Sequence, residues 1–233
     1  MRTKLLLNLS AIAVAATSAP AFAQDANDDA RLDEIIVTAQ RREENLQDVP
    51  VSVATLGGDT LAAVSGAGAD IRALSGRVPS LNIESSFGRT FPRFYIRGLG
   101  NTDFDLNASQ PVSLVYDDVV LENPILKGFP VFDLDRVEVL RGPQGTLFGR
   151  NTPAGIVKFD TAKPTSKSNY AKASWGSFNT INAEAGVGGK LSDVVSARLS
   201  VLYQRRDDWV DNLDQPGSKN LEGFKDFAAR LQV

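Results

Sequence analysis

Apolar and polar positions divide the chain into four stretches of different texture. The first is the apolar run Leu5 to Ala16, interrupted only by Asn8 and Ser10, with Arg2 and Lys4 ahead of it and Ala21-Phe22-Ala23 behind it. A basic start, a short apolar run and small residues flanking a cleavage point predict an export signal over residues 1–23, removed before Gln24. The run falls short of the ~20 residues that a helix needs to cross a bilayer. The second stretch, residues 24–48, is polar and acidic and reads as a flexible tether. Within it, Asp33 to Ala39 (DEIIVTA) places Ile35, Ile36, Val37 and Thr38 side by side. Consecutive β-branched residues favour extended backbone. Polar linkers on both sides leave this heptapeptide without a local partner, so one is expected from elsewhere.

The third stretch, residues 49–160, has the mixed periodicity of a small α+β domain. Val51 and Val53 begin a strand, Asp59 caps a short helix through Val64, and Asp70 opens a second one ending near Gly76. Further strands are predicted at Val78–Ile83, Phe94–Arg97, Val112–Tyr116, Val119–Glu122 and Val137–Leu140, with Asp117-Asp118 as a turn. Thr161 to Asn169 reads as a connector. In the fourth stretch, Ile181, Ala183, Ala185 and Val187 alternate with Asn182, Glu184, Gly186 and Gly188. Val195 to Tyr203 alternates likewise except at Leu202. One face is apolar and the other polar or small, a pattern that a soluble sandwich and a membrane barrel share. Strand length, and a turn expected over Gly188–Asp193, favour the barrel wall. Asp207 to Gly223 then forms a loop, and Phe227, Ala229, Leu231 and Val233 begin a fourth alternating segment.

Composition removes whole classes of function. The chain has no histidine and no cysteine. Ser-His-Asp and Cys-His nucleophiles cannot be assembled, disulfide staples are excluded, and a zinc or copper site would have to rely on carboxylates. An enzyme is therefore not expected, nor a cofactor or metal. Without residues 1–23 the chain carries 23 Lys plus Arg against 28 Asp plus Glu, a net charge of −5, which disfavours nucleic acid. Asn101, Asp103, Asp105 and Asn107 alternate oxygen ligands, but Leu106 and Val112 stand where a calcium loop needs glycine and glutamate. The glycine-rich run Gly142 to Gly149 lacks the Gly-Lys-Ser/Thr that would make it a phosphate loop.

The run Arg136 to Gly149 (RVEVLRGPQGTLFG), with Arg150-Asn151-Thr152 and Gly155-Ile156 after it, resembles the plug domain of TonB-dependent outer-membrane receptors. FYIRG at Phe94–Gly98 and SLVYDDV at Ser113–Val119 resemble its central strands, and DEIIVTA resembles a TonB box. One departure is Pro153-Ala154 where the family's pattern leads one to expect a glycine pair. The resemblance implies a signal peptide (1–23), a tether carrying the box (33–39), a plug (49–160), and a connector with three to four barrel strands (161–233). The fold class is thus an α+β plug followed by the first antiparallel strands of an incomplete transmembrane β-barrel. The 73 residues from Thr161 give about four strands, against roughly eight in the smallest outer-membrane barrels, so the chain reads as a fragment.

The resemblance also implies function and sites. The family imports scarce ligands of the siderophore, cobalamin or oligosaccharide class across the Gram-negative outer membrane, driven by TonB and its inner-membrane complex. Glu34, Ile35, Ile36, Val37, Thr38 and Ala39 would be captured by TonB as an added strand. Arg97 and Arg141 would face glutamates on the barrel wall. Gly98, Gly142, Gly145 and Gly149 would shape the plug motifs, and Phe104 and Asp105 would meet ligand at the top of the plug. The partners implied are TonB, outer-membrane lipid and an external small molecule. The rival reading is a freestanding soluble periplasmic module, or a truncated receptor without function.

Overall fold

The computed structural model describes residues 35–38, 40–65, 70–103, 105, 107–165, 169–213 and 221–233. The expected export signal, Glu34, Ala39 and Phe104 lie outside the described residues. The first element among the described residues is a two-residue ladder of β1 (Ile36–Val37) and β2 (Glu44–Asn45). A five-stranded mixed sheet follows, built from β3 (Ser52–Gly57), β6 (Val112–Tyr116), β7 (Val119–Leu121), β8 (Leu134–Arg141) and β9 (Gly155–Thr161), in the order β3-β8-β9-β6-β7. Only the β6–β9 pairing is parallel. A hairpin of β4 (Leu81–Glu84) and β5 (Arg93–Ile96) lies apart from this sheet, and helices α1 (Gly58–Ser65) and α2 (Gly145–Phe148) complete the plug.

Alternation along β8 and β9 divides the apolar residues between the two faces of the sheet. Val137, Val139, Val157 and Phe159 join Leu61, Ile71, Leu74 and the β4–β5 hairpin in the larger core. Leu140 and Ile156 belong to a smaller core on the opposite face, with Val37, Val49, Val115 and Phe148. Glu138 and Lys158 are register partners on that second face and are almost wholly buried. Asp70 caps its short 3-10 turn as expected, accepting a hydrogen bond from the Arg72 N–H. Asp117 and Asp118 make the tight β6–β7 turn, both with left-handed backbone.

The chain then forms an antiparallel meander of β10 (Tyr170–Gly176), β11 (Thr180–Lys190), β12 (Ser196–Arg206) and β13 (Phe224–Gln232). The sheet is open, and its two central strands each have 11 residues, the upper end of the range for a tilted membrane-spanning strand. Its burial pattern resolves what periodicity could not. Asn182, Glu184, Arg198, Ser200 and Gln204 are at most 4% exposed, whereas Leu199, Val187, Leu231 and Phe227 are 51–73% exposed. A soluble sandwich buries the apolar face, and here that face points outward. Leu202, an apolar residue on the polar face, is 1% exposed. The expected turn over Gly188–Asp193 is corrected: Gly188, Gly189 and Lys190 still pair with Arg198, Ala197 and Ser196, so the reversal lies between Lys190 and Ser196.

Candidate functional site

The β-prone segment near the start of the described chain does not lack a partner, which corrects the expectation from the sequence. Its ladder with β2 is short, and Ile35 O accepts a hydrogen bond from Leu46 N–H at 2.8 Å. Successive residues of a strand turn their backbone groups to opposite sides. The other edge is therefore presented by Ile36 and Thr38, and it is met by side chains of β8. Arg136 Nη1 donates to Ile36 O at 2.9 Å, and Thr38 N–H donates to Glu138 Oε1 at 2.7 Å. The Thr38 hydroxyl accepts from Lys158 Nζ at 2.6 Å and donates to Asp160 Oδ2 at 3.0 Å. Lys158 in turn pairs with Asp160.

This clamp holds a strand without weaving it into the five-stranded sheet. Val37 provides the apolar part, fully buried among Val49, Val115, Leu140, Phe148 and Ile156. Ile35 and Ile36 are 48% and 37% exposed. Burial pushes the Glu138 carboxyl above its ordinary range, more strongly than the Thr38 N–H and the Lys158 charge pull it down. The acceptor that grips the segment is thus itself poorly solvated. The arrangement offers an extended peptide a pair of charged hydrogen-bonding side chains and an apolar socket.

A second polar cluster joins the plug to the wall. Asp133, just ahead of β8, is 4% exposed and has left-handed backbone at φ 49°. Its carboxylate takes a bidentate pair from Arg198, at 2.8 and 2.6 Å, a hydrogen bond from Ser200, and a contact from Arg230 at 3.2 Å. Its N–H donates to Glu184 Oε1 at 2.9 Å, and its carbonyl accepts from Arg230 Nη2 at 2.9 Å. Burial alone would raise the Asp133 pKa, but the hydrogen bonds from Arg198 and Ser200 and the charges of Arg198 and Arg230 together hold it below the usual carboxylate range. Arg89 reaches Gln204 and Asp226, and Gln232 donates to Thr161. The sequence signal for this interface was the polar stripe of β11 to β13, together with Gly186 and Gly188. A Cβ at Gly186 would lie 2.6 Å from Arg198 Nη2, and one at Gly188 would lie 3.0 Å from Arg198 Cβ.

The arginines singled out from the sequence do not take part in these contacts. Arg97 is exposed with left-handed backbone, and Arg141 donates only weakly to Val53 O at 3.4 Å, its Nε buried without a partner. Gly98, Gly142 and Gly149 all have positive φ, at 80°, 102° and 87°, while Gly145 starts α2 with ordinary backbone. Asp105 is exposed and accepts from Asn107 N–H, one of three successive turns in which Asn101, Asp103 and Asp105 each bond the backbone two residues on. Those oxygens are turned toward their own chain.

Comparison with known proteins agrees with this architecture. The TonB-dependent Receptor Plug Domain matches residues 45–156. The pesticin receptor of Yersinia pestis is 28% identical over 149 residues, covering 64% of this chain and 22% of that protein. The vitamin B12 transporter of Vibrio vulnificus is 29% identical over 165 residues, covering 68% and 25%. Among solved structures, the ferric yersiniabactin uptake receptor of Yersinia pestis superposes with a TM-score of 0.68 at 25% identity, over 78% of this chain and 28% of that one. The chain thus spans about a quarter of the length of these relatives. Residues 45–156 are thus a plug domain of the TonB-dependent receptor kind, and with the four-stranded meander behind it the chain is similar to TonB-dependent receptors.

Proposed function

We propose that the chain supplies the coupling segment and plug of an outer-membrane importer, in which TonB draws Glu34 to Ala39 away as an added strand and so opens a path for ligand. The observation that carries this reading is the clamp. A β-prone segment with Val37 buried is held by two ladder pairs and a few side chains, outside the main sheet. Main-chain hydrogen bonds are what an added strand would replace. The outward apolar face of β10–β13 supports an outer-membrane location and disfavours the soluble module, because Val187, Leu199, Phe227 and Leu231 would then stand in water. The role is transport without catalysis. The ligand is proposed to be a siderophore chelate or a cobalamin, the classes named for the relatives.

Val37→Pro tests the coupling role. Proline removes the N–H that faces Glu44 and leaves the ladder hydrogen bonds of β3 to β9 in place. TonB's periplasmic domain is expected to lose its hold on the variant while the plug stays folded. Co-purification at wild-type yield overturns the assignment.

A further inference from the structure

We propose that the outward face of β10–β13 seats one phosphate-bearing lipid, its headgroup between Arg205 and Lys225 and an acyl chain in the hollow beside them. This rests on the outer-membrane reading above. Arg205 and Lys225 are direct register partners on β12 and β13. Alternation puts both on the same face as Phe227 and Leu231, which point away from the plug. Like charges placed opposite each other across a ladder repel and destabilise it. Asp207 offsets one of them, pairing with Arg205 at 2.7 Å, while Lys225 is exposed and makes no ion pair among the described residues. A phosphate held between the two turns that repulsion into a shared attraction.

The surface next to this pair has a shape that a chain can fill. Ala171 faces Ala185 and Ala173 faces Ala183, so four methyl groups lie side by side. Val201, Tyr203 and Phe227 rise beside them, leaving a hollow of about 400 Å³. An acyl chain laid there restores the dispersion contacts that small side chains forgo. The depth also agrees. From Arg205 to Leu199 the strand rises ~20 Å, or ~15 Å along the membrane normal at a tilt of ~40–45°, which is half of a hydrocarbon layer ~30 Å thick. With Leu199 at mid-depth, the basic pair stands at headgroup level and the hollow within one leaflet. Trp175, Phe178 and Trp209 crowd the same rim at 50–79% exposure, as aromatic residues do at a membrane interface. Charge at that level costs little, whereas it would be expensive deeper.

Native mass spectrometry of the full-length protein tests this, after release from detergent micelles doped with phosphatidylglycerol or with phosphatidylcholine of identical chains. Each basic residue at a charged membrane surface gives about a fivefold preference, so the wild-type protein is expected to retain the anionic lipid about 5–25-fold over the zwitterionic one. Arg205→Gln with Lys225→Gln should bring that ratio close to one, and Arg205→Lys should keep it. Ala183→Phe fills the hollow and should lower retention of phosphatidylglycerol while both charges remain. Glycerol phosphate, a headgroup without chains, should fail to displace the bound lipid. Thermal melts of each variant separate loss of lipid from loss of fold. A wild-type ratio near one, a ratio that the double glutamine variant leaves unchanged, or displacement by glycerol phosphate overturns the proposal. A protein that keeps neither lipid and stays monodisperse without detergent overturns the outer-membrane reading itself.

Discussion

Removing the side chains that occupy one edge of the coupling segment should make TonB bind more tightly. Arg136→Ala with Glu138→Ala takes away the donor to Ile36 O and the acceptor from Thr38 N–H without altering the peptide that TonB is proposed to read. A neutral hydrogen bond contributes about 0.5–1.5 kcal/mol and one to a charged group about 1.5–3 kcal/mol. Burial already strains Glu138, as its raised pKa shows, so the lower ends of these ranges apply. A net loss of about 2 kcal/mol from the clamped state raises the released population roughly 30-fold. Because TonB can pair only with released segment, its apparent affinity should rise by about the same factor until release is complete. The assay is titration of the detergent-solubilised receptor with TonB's periplasmic domain at fixed salt, alongside a melting curve to show that the plug core is unchanged. Unchanged affinity in a well-folded variant would refute the claim that the clamp competes with capture.

Four further outcomes follow from the same geometry. Lys127 is 2% exposed, its Nζ bonded to Val112 O, and burial lowers its pKa to about 8. A base depressed from about 10.5 costs stability that is fully felt below about pH 8 and vanishes above its unfolded pKa, so Lys127→Met should stabilise the plug by up to about 3 kcal/mol at pH 7, the gain fading toward pH 10.5 in denaturant melts. A uniform gain across that range would show that the charge is not the cause. Glu138 has the opposite character: its folded pKa is raised, so its contribution is present below the ordinary carboxylate pKa and lost as pH rises through the folded value. Glu138→Gln should therefore flatten the pH dependence of plug stability just above that range; an unchanged slope would count against the burial of the ionised group. Gly155→Ala should cost at least about 3 kcal/mol in plug melting, since its φ is 143° and a Cβ would lie 2.1 Å from Leu140 O; a loss under about 1 kcal/mol contradicts that close approach. Leu199→Lys, which puts a charge on the outward face, should cost about 2–4 kcal/mol in bilayer refolding if Leu199 meets lipid near mid-depth, and equal refolding with wild type would mean it does not.

Local chemistry was legible where one residue type dominates a short element. Val112–Tyr116 emerged at its predicted bounds, and the Asp70 cap and the Asp117-Asp118 turn each depend on a single polar side chain or a pair of residues tolerant of left-handed backbone. β9 was not foreseen as a strand because Gly155 to Thr161 is central in the sheet and buried on both faces, so it does not alternate. Gly188 and Gly189 were misread as a turn. Gly188 stays in the ladder because the Arg198 side chain crosses it closely, a use of glycine that looks the same in sequence as a reversal.

The same limit governed the functional residues. The coupling segment stood out by its β-branched run, but its partner β2 is only Glu44-Asn45, too short and too polar to show any period. Arg136, Glu138 and Lys158 lie in strands whose alternation is otherwise apolar, and they become legible only once the register places Glu138 opposite Lys158. Among the described residues Asp133, far in sequence from Glu184, Arg198 and Arg230, joins the plug to the wall strands, and no local motif points to it. Pairings across 51 to 97 residues leave no local trace.

Amide exchange of residues 35–38 and of β2, followed in the receptor alone and with TonB's periplasmic domain bound, tests the coupling claim most directly. Val37 and Thr38 are expected to open far more often than β8 in the resting protein, then to become strongly protected on TonB binding while Glu44 and Leu46 lose their protection. A segment as slow to exchange as β8, or one whose exchange TonB leaves unaltered, contradicts it.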